Sequence, residues 1–194
     1  MLLSMVKDRR NLTDPKTLRA LAHPLRWKLI EFIGREGAAT ATQCAEETGE
    51  SVANCSYHLN LLAKYDFVER AEGGQGREKP WQLVHQGQSI TDIGLDEESR
   101  LAAQAASTAF LDHAFTMIRE RYLASHALPE DWRAVLGTNT STDYLTAAET
   151  EEFQEAVRAI SDRYKERRYK PELRPADAQP VYVFLSTSIP PEKA

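Results

Sequence analysis

The sequence predicts a mainly α-helical protein with small β elements, in which an amino-terminal domain is followed by a long helix and a small α/β domain. Three observations support this prediction. Apolar residues recur at helical spacing through most of the chain. Residues 67–84 change to a period of two around a glycine-rich turn, and helix caps precede several helical stretches. The predicted domains are residues 1–85 and 86–194.

Two helices are predicted within residues 14–36. Asp14 can cap the first of them, because Pro15 follows at the first helical position. The dipeptide His23-Pro24 interrupts this helix and starts the second. The apolar positions of the second helix recur at helical spacing and predict its buried face: Leu25, Leu29, Phe32 and Ile33.

Two further helices are predicted on either side of a tight turn. Thr40 and Gln43 have the spacing of a capping box and open a short helix that ends at Gly49. Ser51 can cap the next helix. One stripe of that helix is apolar and predicts its core-facing side: Cys55, Leu59 and Leu62.

A β-hairpin is predicted after the fourth helix, with extended residues 67–71 and 80–84 joined by the glycine-rich segment "GGQG". Three helices, the last two separated by a tight turn and followed by a hairpin, are the order of a winged helix-turn-helix. In that fold the last helix lies in the major groove of DNA and the hairpin contacts the backbone. The predicted DNA-facing residues are Ser51, Asn54, Ser56, Tyr57, Asn60 and Lys64 on the helix, with Arg77 and Lys79 on the hairpin.

Residues 13–85 resemble the ArsR-type winged helix-turn-helix regulators. Two motifs carry the resemblance: "ALAHPLR" at Ala20–Arg26 and "SYHL" at Ser56–Leu59. The resemblance implies a dimeric, DNA-binding transcriptional regulator, and it implies that Ser56, Tyr57 and His58 lie on or near the DNA surface. Tyr57 stands where many members of the family have a second histidine.

Composition agrees with a soluble, cytoplasmic protein without a membrane partner. No apolar run approaches the roughly 20 residues that span a bilayer, and the amino terminus lacks the pattern of a secretion signal. The chain has only two cysteines, Cys44 and Cys55, both in helical stretches. They predict reduced, buried thiols rather than a disulfide framework.

The formal net charge of −5 is unevenly distributed. Residues 1–85 contain 12 Lys and Arg against 11 Asp and Glu, whereas residues 86–194 contain 12 against 18. Because phosphate binding depends on Lys and Arg, a nucleic acid is expected to meet the first domain.

Neither a metal nor another cofactor is predicted. Many ArsR-type proteins sense metals, but a tight site needs three or four ligands that converge on one point. Cys44 and Cys55 lie on different helices, and Cys55 belongs to the inward stripe. Asp112 and His113 are adjacent on a helix and therefore point about 100° apart.

Catalysis is not predicted either. The sequence contains no G-x-S-x-G or H-E-x-x-H motif, and its glycine-rich segment follows a strand without opening a helix. The protein is therefore interpreted as a non-enzyme.

The long helix, from about residue 97 to residue 125, is the predicted dimerisation element. Its apolar stripe is longer than one small domain needs: Leu111, Phe115, Ile118 and Tyr122. Packing of the same stripe within one chain is the alternative.

The remaining residues predict a small sheet covered by one helix. The strands are placed at 133–138, 141–146 and 181–187, where β-branched and aromatic residues are frequent. Thr146 and Glu149 form a second capping box, which opens a helix over 146–167. Its predicted buried face is Phe153, Val157, Ile160 and Tyr164.

The predicted function is sequence-specific transcriptional regulation, as a repressor that binds an inverted-repeat operator as a homodimer. Each protomer would place residues 51–64 in one major groove of double-stranded DNA. Two alternatives stay open: a protein-interaction scaffold that does not bind DNA, and a metal-responsive repressor that uses Cys44, Cys55, His113 or His126. A small-molecule or protein effector is also left open as a partner.

Overall fold

The computed structural model describes residues 10–71, 79–85 and 87–190. The chain falls into two compact units, the first ending at Arg121 and the second beginning at Tyr122. Residues 86–121, which the sequence assigns to the second domain, lie in the first unit. The predicted division of functions at residue 85 stays a prediction.

Four helices form the predicted helical part of the first unit: α1 (Pro15–Leu21), α2 (Pro24–Glu36), α3 (Ala41–Thr48) and α4 (Val52–Lys64). Their predicted caps are confirmed. The Asp14 carboxylate accepts from the Thr17 amide at 2.8 Å. Thr40 and Gln43 form the reciprocal capping box, and Ser51 Oγ accepts from the Asn54 amide at 3.1 Å.

The turn between α3 and α4 is made by Gly49. Its φ of 73° lies in the left-handed region, which glycine adopts without strain. Its amide donates to the Ala45 carbonyl at 3.0 Å and closes α3. As a result α3 ends here, and α4 begins three residues later, at Val52.

The core of the first unit lies between α2, α3 and α4, which pack against one another. The predicted stripe of α4, Cys55, Leu59 and Leu62, is fully buried, so this prediction is confirmed. Other side chains with almost no exposed surface complete the core: Leu18, Leu21, Leu29, Ile33, Cys44 and Phe67.

A three-stranded antiparallel sheet contains the base of the predicted hairpin. Its strands are β2 (Ala38–Ala39), β3 (Val68–Arg70) and β4 (Trp81–Leu83), in the order β2-β4-β3. Val68 pairs with Leu83, and Arg70 pairs with Trp81. The hairpin tip, with Arg77, lies outside the described residues.

A second sheet was not expected from the sequence. β1 (Arg10–Leu12) pairs in parallel with β5 (Gln88–Ile90), a segment that the sequence predicts to be part of a connector. Three-residue strands are too short to produce a periodic pattern, and their partners are far apart in the chain. Leu12 is nevertheless almost completely buried.

The long helix is confirmed as α5 (Glu97–Ser125). Its buried face differs from the predicted stripe, because mostly alanines point into the core: Ala102, Ala103, Ala106, Ala109 and Ala114. The predicted stripe faces outward, with Leu111 exposed and Phe115 57% exposed.

Among its described residues the second unit contains the carboxyl-terminal end of α5, a 3₁₀ helix at Pro171–Leu173, and the helices α6 (Glu130–Val135), α7 (Ala147–Asp162) and α8 (Glu166–Tyr169). The capping box of Thr146 and Glu149 at the start of α7 is confirmed. The predicted strands are not formed by the described residues, since 130–135 is helical and neither 141–146 nor 181–187 belongs to a strand. Composition favours an extended chain, but a strand also needs a hydrogen-bonded partner.

The predicted buried face of α7 is also wrong. Phe153, Ile160 and Tyr164 are 49%, 53% and 54% exposed, and Val157 is half-buried. Their helical spacing was read correctly, but the sheet predicted to cover them is not formed by the described residues. The overall class, mainly helical with small β elements, is confirmed.

Candidate nucleic-acid interface

The outer face of α4 carries most of the residues predicted to bind DNA. Ser51, Asn60 and Lys64 are exposed, and the Tyr57 side chain is 63% exposed. Asn54 and Ser56 are half-buried beside them. Because the opposite face of α4 is packed into the core, the helix can present these polar side chains without losing its own support.

Both asparagines of this face have partners within the chain. Asn54 Nδ2 donates to Glu50 Oε2 at 2.9 Å, and Asn60 Nδ2 donates to the Ser56 carbonyl at 2.8 Å. An asparagine recognises adenine by donating from its amide nitrogen and accepting at its oxygen. Each amide nitrogen has two hydrogens, so either residue can keep its present acceptor while its second hydrogen and its oxygen contact a base.

His58 differs from the expectation that the family resemblance gave. Its side chain is buried, and its Nδ1 accepts from Arg26 Nε at 3.1 Å. The His23 ring lies against it, with 4.5 Å between the ring centroids. The reason is its position, three residues after Cys55 and four before Leu62, which puts it on the inner side of α4.

Arg26 connects α4 to the end of α1 and was not recognised as important from the sequence. Its guanidinium is buried, and Nη1 donates to the Ala20 carbonyl at 2.6 Å while Nε donates to His58. The sequence did contain a signal for the importance of Arg26. Arg26 ends the first family motif, at Ala20–Arg26, and His58 lies in the second. The two motifs meet through this hydrogen bond.

The Arg26–His58 contact predicts a pH-dependent stability. Burial lowers the pKa of His58 below its ordinary 6.5, and the nearby His23 and Arg26 lower it further, against a weaker opposing effect of Glu50. The unfolded chain then binds the proton more readily than the folded chain, so stability is complete above about pH 6.5 and falls as the pH decreases below it. Urea unfolding at pH 7.5, 6.5 and 5.5 measures this loss.

The matched variant for this experiment is His58→Gln, whose side-chain oxygen can still accept from Arg26 but does not titrate. It should lose less stability than the wild type between pH 7.5 and 5.5. His113 is the second control, because burial also lowers its pKa, and His113→Asn should leave the His58 effect in place. Equal pH dependence in the wild type and His58→Gln would assign the effect to other groups.

The base of the hairpin presents two cations. Lys79 is exposed, as predicted, and so is Arg70, which the sequence analysis did not select. The Arg70 guanidinium lies 3.6 Å from the centroid of the Trp81 ring, and its Nη1 donates to the Lys79 carbonyl. Stacking on Trp81 and this hydrogen bond hold Arg70 at the edge of the sheet beside Lys79.

The cysteines and histidines considered as metal ligands do not form a cluster in the described part of the chain. Cys44 and Cys55 are buried and not disulfide-bonded, and Thr48 Oγ1 lies 3.6 Å from Cys55 Sγ. Within residues 10–71, 79–85 and 87–190, no three His, Cys, Asp or Glu side chains are grouped so that they could hold a metal ion. None of the helices in these ranges is long and apolar enough to cross a membrane.

The part of the chain that contains this interface is similar to known proteins. Residues 21–71 match the model of a helix-turn-helix domain family. A segment of 63 residues is 38% identical to a Streptomyces lividans protein described as a probable mercury resistance operon repressor. The aligned segment covers 32% of this chain and 50% of that relative, so the chain spans about half the length of the curated relative that it matches.

The structure of a mutant of Lactococcus lactis ZitR can be superposed on part of this protein. The superposition covers 73% of this chain and 75% of the ZitR chain, with 15% sequence identity and a TM-score of 0.31. That overlap is too loose to support an inference. The family match begins at the last residue of α1 and ends one residue after β3, so it includes α2, α3, α4 and the turn at Gly49. Residues 21–71 therefore match a helix-turn-helix domain, the arrangement that the order of the predicted helices indicated.

Proposed function

We propose that this protein is a DNA-binding transcriptional repressor that acts as a homodimer on an inverted-repeat operator. The observation that supports the proposal most directly is the division of α4 into a fully buried inner face and a polar outer face, next to a hairpin that carries cations. The helix-turn-helix match and the relative's description as an operon repressor support it as well. As a regulator of this kind, the protein would act in the cytoplasm and would not be an enzyme.

In the proposed complex α4 lies in the major groove. Ser51, Asn54 and Tyr57 follow one another over the first turns, so their side chains would approach the base edges first. Asn60 and Lys64 lie further along the exposed side and would contact the backbone or the groove edge. His58 has no direct contact in this proposal, because it would support the helix from the inside.

The hairpin would add contacts to phosphates. Lys79 and Arg70 would provide positive charge at its base, and Arg77 would provide it at the tip. Phosphate contacts release counterions, so each one contributes to the salt dependence of the affinity. The net charge of −5 does not oppose this arrangement, since the acidic excess belongs to residues 86–194.

The test of the proposal is fluorescence anisotropy with the DNA upstream of the protein's own gene and with random duplex DNA, each at two salt concentrations. Replacing Lys79 by alanine should weaken binding to both DNAs and should flatten the log–log salt slope by about 0.9, the value for one phosphate contact. Lys28→Ala is the matched control, because Lys28 is also an exposed cation but lies near His113 of α5. It should leave the slope unchanged.

Two results would contradict the proposal in different ways. If Lys79→Ala leaves the slope as it is, the base of the hairpin is not on the DNA. If the wild-type protein shows no salt-dependent and sequence-selective binding at all, the DNA-binding function is wrong and a protein-interaction scaffold is favoured.

Dimerisation is proposed to occur through α5. Its alanine face is used inside the protomer, whereas Leu111 and Phe115 are exposed on another side of the helix. An exposed apolar stripe on a helix is typical of an interface between subunits. A dimer with two-fold symmetry would present its two α4 helices to half-sites about 34 Å apart, one turn of DNA.

Phe115→Glu should convert the dimer to a folded monomer, because two carboxylates would be buried opposite each other without partners. Sedimentation velocity measures the change, and circular dichroism checks the fold. Thr116→Glu is the matched control, since Thr116 is exposed on α5 outside the stripe. A folded Phe115→Glu variant that sediments as the wild-type dimer would remove this stripe from the interface.

A further inference from the structure

The α7 helix carries a second exposed apolar stripe that the proposed function does not use. Phe153, Val157 and Ile160 are spaced by four and three residues and lie on one face of α7, and Tyr164 extends the stripe from the turn that follows the helix. Three of them are about half exposed. Single exposed apolar side chains are normal, but a continuous stripe of four, two of them large aromatics, is typical of a surface that binds a partner.

Charges along one flank of this stripe are separated by sign. With about 100° per residue, Glu149 and Glu152 lie on this flank at the start of α7, and Arg163 lies on it at the end. All three side chains are exposed. Arg167, in α8, lies beside the same stripe, because its guanidinium is 5.1 Å from the centroid of the Tyr164 ring.

The other flank of the stripe is already in contact with the chain itself. Gln154 Nε2 donates to Thr187 Oγ1 at 2.8 Å, which places the extended segment around Thr187 on the Gln154 side of α7. Gln154 and Glu152 lie on opposite flanks, about 160° apart around the helix. The charged flank is therefore the side on which a partner helix can be recognised.

From this arrangement we infer that α7 pairs with α7 of a second copy of the chain, and that the two helices are antiparallel. In an antiparallel pair the acidic start of one flank meets the basic end of the same flank of the other copy. Phe153 then faces Tyr164, and Val157 faces Ile160. In a parallel pair the charged flank of one copy would instead face the Gln154 flank of the other, so its acidic and basic ends would not meet opposite charges.

The choice of a second copy as the partner follows from this self-complementarity. A two-fold axis brings the same surface of both subunits together, so a surface must complement itself to be used. The stripe satisfies this condition for shape, because aromatic residues stand near both ends with smaller aliphatic ones between them. It also satisfies the condition for charge. The pairing is separate from the α5 contact and from DNA binding.

Cysteine cross-linking of the full-length protein tests both the contact and its direction. Glu152→Cys and Arg163→Cys are made as separate variants that carry tags of different size. The two variants are then mixed and mildly oxidised. In the antiparallel pair Cys at 152 of one copy lies near Cys at 163 of the other, so the mixed disulfide should predominate over either homodimeric product. The native Cys44 and Cys55 are buried, and the wild-type protein is the control for them.

Glu155→Cys is the matched control, because residue 155 is on the opposite side of α7 from the stripe. It should cross-link more slowly with Arg163→Cys than Glu152→Cys does. Equal rates for residues 152 and 155, or a majority of homodimeric products, would overturn the antiparallel pairing. Since the cross-link reports on α7 alone, this result is distinct from that of Phe115→Glu.

Charge reversal gives a second measurement, which tests whether the charges on the flank choose the partner. Glu152→Arg and Arg163→Glu should each weaken the 152–163 cross-link made from the remaining site, because like charges then meet. Mixing a chain that carries Arg163→Cys and Glu152→Arg with one that carries Glu152→Cys and Arg163→Glu restores opposite charges on the flank and should restore the cross-link. If the double reversal behaves like the sum of the single ones, the charges do not choose the partner.

Discussion

Arg26→Met should lower the free energy of unfolding by about 1–3 kcal/mol, because it leaves the buried Nδ1 of His58 and the Ala20 carbonyl without a donor. The loss of a buried charge offsets part of this cost. The same variant should weaken binding to the operator, since α4 loses a hydrogen bond that fixes its inner side to the end of α1. Urea unfolding and anisotropy measure the two effects.

Arg26→Lys separates the role of the charge from that of the hydrogen bonds. Lysine keeps the charge but has one ammonium group, whereas the guanidinium reaches His58 and Ala20 with different nitrogens. Arg26→Lys should therefore be less stable than the wild type. If both variants unfold at the wild-type urea concentration, the hydrogen bonds between α1, α2 and α4 do not hold the domain together.

Asn54→Ala should reduce affinity for the operator by about 5- to 150-fold, which corresponds to about 1–3 kcal/mol for a good contact with a base edge. Affinity for random DNA should hardly change, because phosphate contacts remain. Tyr57→Phe removes only a hydroxyl and should cost less. Anisotropy with both DNAs measures these differences, and circular dichroism confirms that the variants fold.

The neighbouring Glu50 supplies the matched control for Asn54. Its carboxylate holds Asn54 Nδ2 in the free protein and lies at the start of α4, where it also repels phosphates. Glu50→Gln should therefore strengthen binding to operator and random DNA alike, in contrast to Asn54→Ala. If Asn54→Ala weakens both DNAs equally, Asn54 contacts a phosphate and α4 is rotated in the groove.

The helices of the first unit could be predicted because their signals are local. Asp14, Thr40 and Ser51 each cap a helix through an amide three residues away, and such spacing is visible in the sequence. The inner stripe of α4 was visible for the same reason, because helical periodicity repeats within a few residues. The two family motifs then indicated the helix-turn-helix, which the comparison confirmed for residues 21–71.

The candidate DNA site was predicted only in part, because exposure depends on what packs against each residue. Tyr57 and His58 are adjacent, yet Tyr57 is exposed and His58 is buried against Arg26 and His23. The family motif that contains both residues suggested that both lie on the DNA-facing surface. The contact with Arg26 joins residues 32 positions apart, and no local pattern reports such a pair.

By itself, the sequence determined where helices α1 to α4 begin, which face of α4 is apolar and which family the first domain resembles, since these depend on neighbours within a few turns. Only the tertiary structure decided which apolar stripes are buried. In α5 the alanines pack inside and Phe115 points outward, and in α7 the stripe stays about half exposed, since the segments predicted to cover it do not form a sheet among the described residues. Burial and strand pairing require two segments that are far apart in the chain to come together. A local sequence pattern describes only one of these segments.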